Sequence, residues 1–320
     1  MSAARAKIKA GMWGSLAALA LLAACDPATQ VDPVLTPQAR PAAVALPVPA
    51  PAAPTSERSA ALRRYLTQVQ SSQLTSGLLR QDGGGPDTPF SAEMLARNFE
   101  RIVFYNEYSA TGATRGGASD LRRWSGPVRI SVEFGPSVPP SQRMRDRADV
   151  RAYATRLARS TGHPVSTAGT PNFMVFFVSE DDRAATLNAL APRLPGVTER
   201  NLAALRDLPQ DAYCAVAAYA SGAEANTYTA AVAVIRAENP DLLRLSCIHE
   251  ELAQGLGLAN DSPDARPSIF NDDDEFALLT DHDEALLGML YDARLTPGMT
   301  VETARPIVRI LAREAVQGPL

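Results

Sequence analysis

Between Asn239 and Gly257 the chain carries both ends of one helix. The Asn239 side chain can cap it, Pro240 suits the first helical position, and Asp241 favours the positive end of the dipole. Leu242, Leu245, Leu252 and Leu256 fall on its apolar side, and Gly257 is placed to end it in the left-handed conformation. Such a helix is expected to be buried. Its C-terminal half and the loop behind it, Cys247-Ile-His-Glu-Glu251-Leu-Ala-Gln254-Gly-Leu-Gly257-Leu-Ala-Asn260-Asp261, form the candidate site.

The rest of the globular part supplies a sheet. Val128–Phe134 alternates apolar and polar residues like a half-buried strand, and Phe173–Val178 is an uninterrupted apolar run that reads as a buried one. Tyr213–Tyr219 and Thr227–Ile235 read as two further strands, with turn-like residues from Ser221 to Asn226 between them. Helices are expected over 57–80, with Leu62, Leu66, Val69 and Leu74 as the stripe, over 91–105 behind a Ser91 cap, and over 144–160, 181–191 and 198–206. That order predicts an α+β domain with a mixed sheet and helices on one side of it.

The N-terminus reads as an address. Basic residues among the first nine, an apolar stretch from Met12 to Ala24 and then Cys25 make a signal segment, too short for the roughly 20 residues of a membrane span. Leu22-Ala-Ala-Cys25 resembles the bacterial lipobox, which implies acylation of Cys25 and anchoring in the bilayer. Asp26 in that setting implies inner-membrane retention. Residues 26–56 are rich in Pro, Ala and Val, favour polyproline II and cannot bury a core, so they read as a tether. The expected organisation is a signal peptide at 1–24, a tether at 25–56, an N-terminal helical segment at 57–126, the sheet domain at 127–293 and a helical extension at 294–320. A net charge of −4 gives no basic footprint for nucleic acid. Beyond Cys25 there are Cys214 and Cys247, which in an oxidising compartment form one disulfide or, alternatively, stay as two buried thiols.

A zinc peptidase motif of the form H-E-x-x-H-x-x-G-x-x-H puts two histidines on one helical face, a glutamate beside the first, and a third ligand beyond a glycine turn. Here Glu250, Gln254 and Asn260 stand in the three ligand places, Glu251 in that of the general base, and Gly257 at the turn. His249 lies one residue early, about 100° round the helix from Glu250, so a packing or hydrogen-bonding role is expected of it. Downstream come Ser268-Ile-Phe270, with Phe270 where a Met-turn would carry methionine, then Leu279-Thr280-Asp-His-Asp283 and Leu290-Tyr291. Thr280 and Asp283 are spaced for a capping arrangement, and Leu286, Leu287 and Leu290 for an apolar face. Over residues 128–292 the chain resembles the metzincins, and a family of bacterial lipoproteins in which a zincin-like domain follows a lipobox.

The resemblance implies a twisted mixed sheet with an active-site-type helix. The exchanged ligands imply a pseudo-peptidase that binds an envelope protein or peptide, the alternative being a hydrolase with Glu251 as general base. No cofactor is expected. Glu250, Gln254, Asn260 and Asp261 make either a polar cleft cluster or oxygen donors for zinc or calcium, the harder ion accepting oxygen more readily. Asn271–Glu275 lacks the spacing of a calcium loop and reads as a solvated acidic loop. His163, between Gly162 and Pro164, reads as a surface turn residue, and His282 as exposed in the first turn of its helix.

Overall fold

A computed structural model of the chain describes residues 55–106, 117–220, 225–271 and 273–317, except for the side chains of 200 and 201. The signal segment, Cys25, Asp26 and the tether up to 54 lie outside the described residues. The strands are β1 (Arg123–Trp124), β2 (Val128–Phe134), β3 (Val165–Ser166), β4 (Phe173–Val178), β5 (Cys214–Ala220) and β6 (Thr227–Arg236). Neighbours run β3, β2, β4, β6, all parallel, and β1 joins the start of β6 in parallel. Among the described strands only β5 is antiparallel, paired along β6 from Cys214↔Ile235 to Ala220↔Tyr228, and it forms an edge.

The apolar run of β4 explains the layering. Phe173, Val175 and Phe177 point into one core, while Met174, Phe176 and Val178 point into another on the opposite face. The helices are α1 (Glu57–Thr75), α2 (Ala92–Val103), α3 (Pro140–Thr161), α4 (Arg183–Leu190), α5 (Glu199–Arg206), α6 (Asp241–Gln254), α7 (Asp281–Leu290) and α8 (Val301–Gln317). The larger core joins α2, α3, α6, α7 and α8 to the sheet. Leu187 of α4 and Leu202 and Leu205 of α5 close the smaller one. Helices on one side only was therefore the wrong expectation: a strand apolar on both faces needs cover on both.

Local signals set most helix ends. Ser91 accepts the Met94 N–H at 3.2 Å, and α3 starts at Pro140, four residues earlier than its apolar pattern begins, because Pro139-Pro140 fixes the entry. It stops at Gly162, whose φ is +63°. Helix α1 ends at Thr75, short of the expected 80, so Leu62 and Leu66 are buried while Leu74 is exposed. It is held by polar contacts: Ser59 Oγ donates to Glu238 at 2.5 Å and Gln70 accepts the Leu243 N–H at 3.0 Å. Among the described residues no helix is long and apolar enough to cross a membrane.

Candidate functional site

Helix α6 places the site. Its start differs from the expected cap: Pro240 occupies the cap position, and the Asn239 amide instead donates to the Tyr213 carbonyl at 3.0 Å. The buried stripe is Leu243, Cys247, Ile248 and Leu252, with Leu242 and Leu245 only half-buried. Arg244 is buried with Asp146 of α3 at 2.7 Å, which ties the two helices together. Cys247 is bonded to Cys214 at the first residue of the edge strand, with the Cα atoms 5.9 Å apart, so the single-disulfide reading holds.

One turn beyond Cys247 the same helical face carries Glu250 and Glu251. Glu251 is buried and Glu250 half-buried; carboxylate oxygens of the two lie within 4.8 Å of each other and of Cys214 Sγ. Gln254 follows on the last turn, half-buried. The helix stops there, and Gly255 has its α-carbon against the Phe173 ring, with no room for a side chain: a Cβ would meet that ring at 2.5 Å. The carbonyls freed at the helix end are taken by aromatic donors, Trp124 Nε1 to Gly255 O at 2.8 Å and Tyr291 OH to Leu256 O at 2.9 Å. Gly257 has φ +127°, and a Cβ there would meet Arg122 O at 2.6 Å. Its positive φ was expected; its place, beyond the helix end, was not.

Past the turn, the Asn260 amide donates to Arg101 O at the end of α2, 3.0 Å, and to Asp261 O at 2.7 Å. Asn260 and Asp261 thus line the loop that runs back toward α2. Phe270 is fully buried, in a turn pinned by Asp283. Ser268 Oγ donates to one Asp283 oxygen at 2.5 Å; the Ile269 N–H and the Thr280 N–H donate to the other, each at 3.0 Å. Thr280 accepts the Asp283 N–H at 3.2 Å, completing the expected capping box of α7.

The three histidines all serve elsewhere. His249 stacks on Tyr153 with ring centroids 4.0 Å apart and accepts the Leu279 N–H on Nδ1 at 3.0 Å. Burial, with Arg156 adding to it, pushes its pKa down to about 3, so the ring is neutral. His282 is not exposed, as its place in a first turn suggested, but fully buried, edge-on to Phe90 and 3.0 Å from the Asn98 amide. Asn98 is the partner that sequence reasoning missed; its signal is a polar residue on the apolar side of α2. His163 is half-buried rather than free on the surface, packed on Tyr291, and burial lowers its pKa. In the acidic loop, Glu275 accepts from Arg80 and Arg266, which hold its carboxyl below the usual range, and Asp274 accepts from Gln73 at 2.5 Å. Those oxygens are spent on protein donors.

This donor set does not fit a catalytic zinc. Among the described residues, Cys214, Glu250 and Glu251 are the His, Cys, Asp or Glu side chains that converge, and the sulfur is already spent in the disulfide. No imidazole reaches them. What the arrangement offers chemically is a crowded carboxylate pair beside an edge strand.

A family model described as a protein of unknown function, DUF2927, matches residues 92–310, from the first residue of α2 into α8. The chain belongs to that family. No curated protein and no solved structure matches it.

Proposed function

We propose that this is a lipid-anchored envelope lipoprotein whose zincin-like domain works as a binding module, a pseudo-peptidase, rather than as a peptidase. The observation that carries the reading is the position of Glu251: in the general-base place of a buried helix, disulfide-tied to an antiparallel edge strand, with no imidazole in the ligand places. The order of elements around it supports the same relationship, since a capped helix and a buried Ser268-Ile-Phe270 turn follow in the expected succession. An edge strand beside a carboxylate pair suits an extended peptide or an envelope protein segment as partner. Anchoring through acylated Cys25, facing the periplasm from the inner membrane, is part of the proposal and rests on the lipobox-like sequence and Asp26.

The test is hydrolysis. Purified protein is incubated with peptide libraries, and its metal content is measured in parallel. The expected results are no cleavage and no stoichiometric zinc; cleavage that Glu251→Gln abolishes would overturn the proposal. The second reading, a hydrolase with Glu251 as base, is favoured by one observation: a second carboxylate, that of Glu250, lies within 4.8 Å of it on the same turn of helix. Mass spectrometry of the membrane fraction for a diacylated Cys25 tests the address separately, and an unmodified Cys25 would remove that part.

A further inference from the structure

We infer that the outer face of α8, with the groove between α8 and α2, is a contact surface for the phosphate headgroups of anionic phospholipids. The groove has a volume of about 360 Å³; Arg97, Arg305, Arg309 and Arg313 line it together with Glu93, Glu100 and two alanines. Glu93, whose carboxyl is lowered first by its own backbone N–H, is close enough for Arg97 and Arg313 to lower it as well. Arg305 is engaged by Glu100 through a two-oxygen contact at 2.9–3.1 Å. Arg97, Arg309 and Arg313 make no hydrogen bond or ion pair among the described residues. Arg305, Arg309 and Arg313 stand one above another on a single helix, like charges that Glu100 and Glu93 across the groove offset only in part. Four arginines against two glutamates leave the groove positive on a chain of net charge −4. Guanidinium forks match phosphate oxygens two at a time.

A soluble anion would account for the arginines but not for their neighbours. Ile310 and Val316 are each 42% exposed on α8, and Tyr105, beside the end of the same groove, is 43% exposed. Arg309, Ile310, Arg313 and Val316 fall on one exposed face of the helix together with Glu302 and Pro306, opposite the buried Ala304, Val308, Leu311 and Ala312. Arginines flanked by exposed aliphatic and aromatic side chains are the composition of a helix that lies in a headgroup layer. The proposed occupant is therefore a bilayer surface. Contact does not require acylation of Cys25, so it stands or falls apart from the anchoring proposal.

The experiment uses the full chain carrying Cys25→Ser, co-sedimented with vesicles of phosphatidylcholine alone or of phosphatidylcholine with phosphatidylglycerol. The basic N-terminal segment adds its own preference for phosphatidylglycerol, the same in every variant, so the readout is the change in the phosphatidylglycerol gain from one variant to another. Binding is expected to rise with phosphatidylglycerol. Arg309→Gln with Arg313→Gln is expected to cut that gain roughly 30-fold, from about fivefold per arginine near an anionic surface. Arg151→Gln with Arg159→Gln, an equal charge change on exposed positions of α3, leaves the gain in place. Binding indifferent to phosphatidylglycerol, or lowered equally by both pairs, would overturn the inference, as would free inorganic phosphate competing fully with the vesicles. Near-UV circular dichroism of each variant establishes that it is folded.

Discussion

Two of the polar clusters among the described residues, one around Asp283 and one on α6, differ in what their oxygens face. Around Asp283, both carboxylate oxygens accept from donors the fold presents, the Ser268 hydroxyl and the N–H groups of Ile269 and Thr280. On α6, Glu250 and Glu251 turn carboxylate oxygens toward each other and toward a disulfide sulfur, within 4.8 Å. The first arrangement lowers the energy of one turn and one helix start. The second gathers like charge, which a fold does not need for its own sake. The Asp283 group is architecture, while the Glu250 and Glu251 pair brings two carboxylates together on one turn of α6, and substitution tells how far each serves the fold.

The largest effect that can break this contrast comes from Asp283→Ala. It strands a hydroxyl and two N–H groups in the core at about 1–3 kcal/mol each, so a loss on the order of 5 kcal/mol is expected in urea unfolding. A loss under about 1 kcal/mol would deny the cluster its structural role. Next in size is the tie between α6 and the edge strand. Cys214→Ser with Cys247→Ser releases a loop closed over a sequence separation of 33 and is expected to lower stability by about 3–4 kcal/mol, measured the same way under oxidising conditions.

His249 sits between the clusters and sharpens the comparison through pH. Its pKa is pushed down to about 3 in the folded chain, against about 6.5 unfolded. Above 6.5 neither state binds the proton, so there is no effect. As the pH falls below 6.5 the unfolded chain gains a proton that the folded one refuses, and stability drains until the folded pKa is reached. At pH 4.5 the loss is about 2.5 kcal/mol relative to pH 7. His249→Phe removes this slope while leaving that of other groups, and the difference between the two pH profiles is the measurement; parallel profiles would mean the ring is charged in the fold.

How far the sequence carries depends on whether a signal is local. The Thr280 and Asp283 box, the Ser91 cap and the disulfide are all legible because each needs only residue type and spacing. The burial of His282 is not, since it depends on Asn98 and Phe90, far away in the chain. Gly257 shows both sides. A glycine behind a helix predicts a positive φ, but the reason it must be glycine is the Arg122 carbonyl brought in from beside β1, and no spacing rule contains that. The helices α4 and α5 were legible as helices, yet their face of the sheet was not, because a continuous apolar strand does not say on which side each helix lands.

The smallest expected effect separates the clusters most cleanly. Glu251→Gln keeps the shape of the side chain and one carbonyl oxygen while removing a negative charge within 4.8 Å of the Glu250 carboxylate. The charge-assisted part of any bond Glu251 makes is weakened, and the repulsion between the two carboxylates is relieved. These offset, so a change within about 1 kcal/mol is expected. Asp283→Asn is the matched control, because it takes the charge from the acceptor of four buried hydrogen bonds, and its amide N–H₂ can be placed only toward Ser268, whose hydroxyl must then turn from donor to acceptor. That change costs several kcal/mol by the same reasoning, about 3 or more. Equal losses for the two substitutions, in parallel urea titrations, would make Glu251 as structural as Asp283 and would take the candidate site off α6. A near-neutral Glu251→Gln beside a costly Asp283→Asn leaves Glu251 where function rather than folding accounts for it.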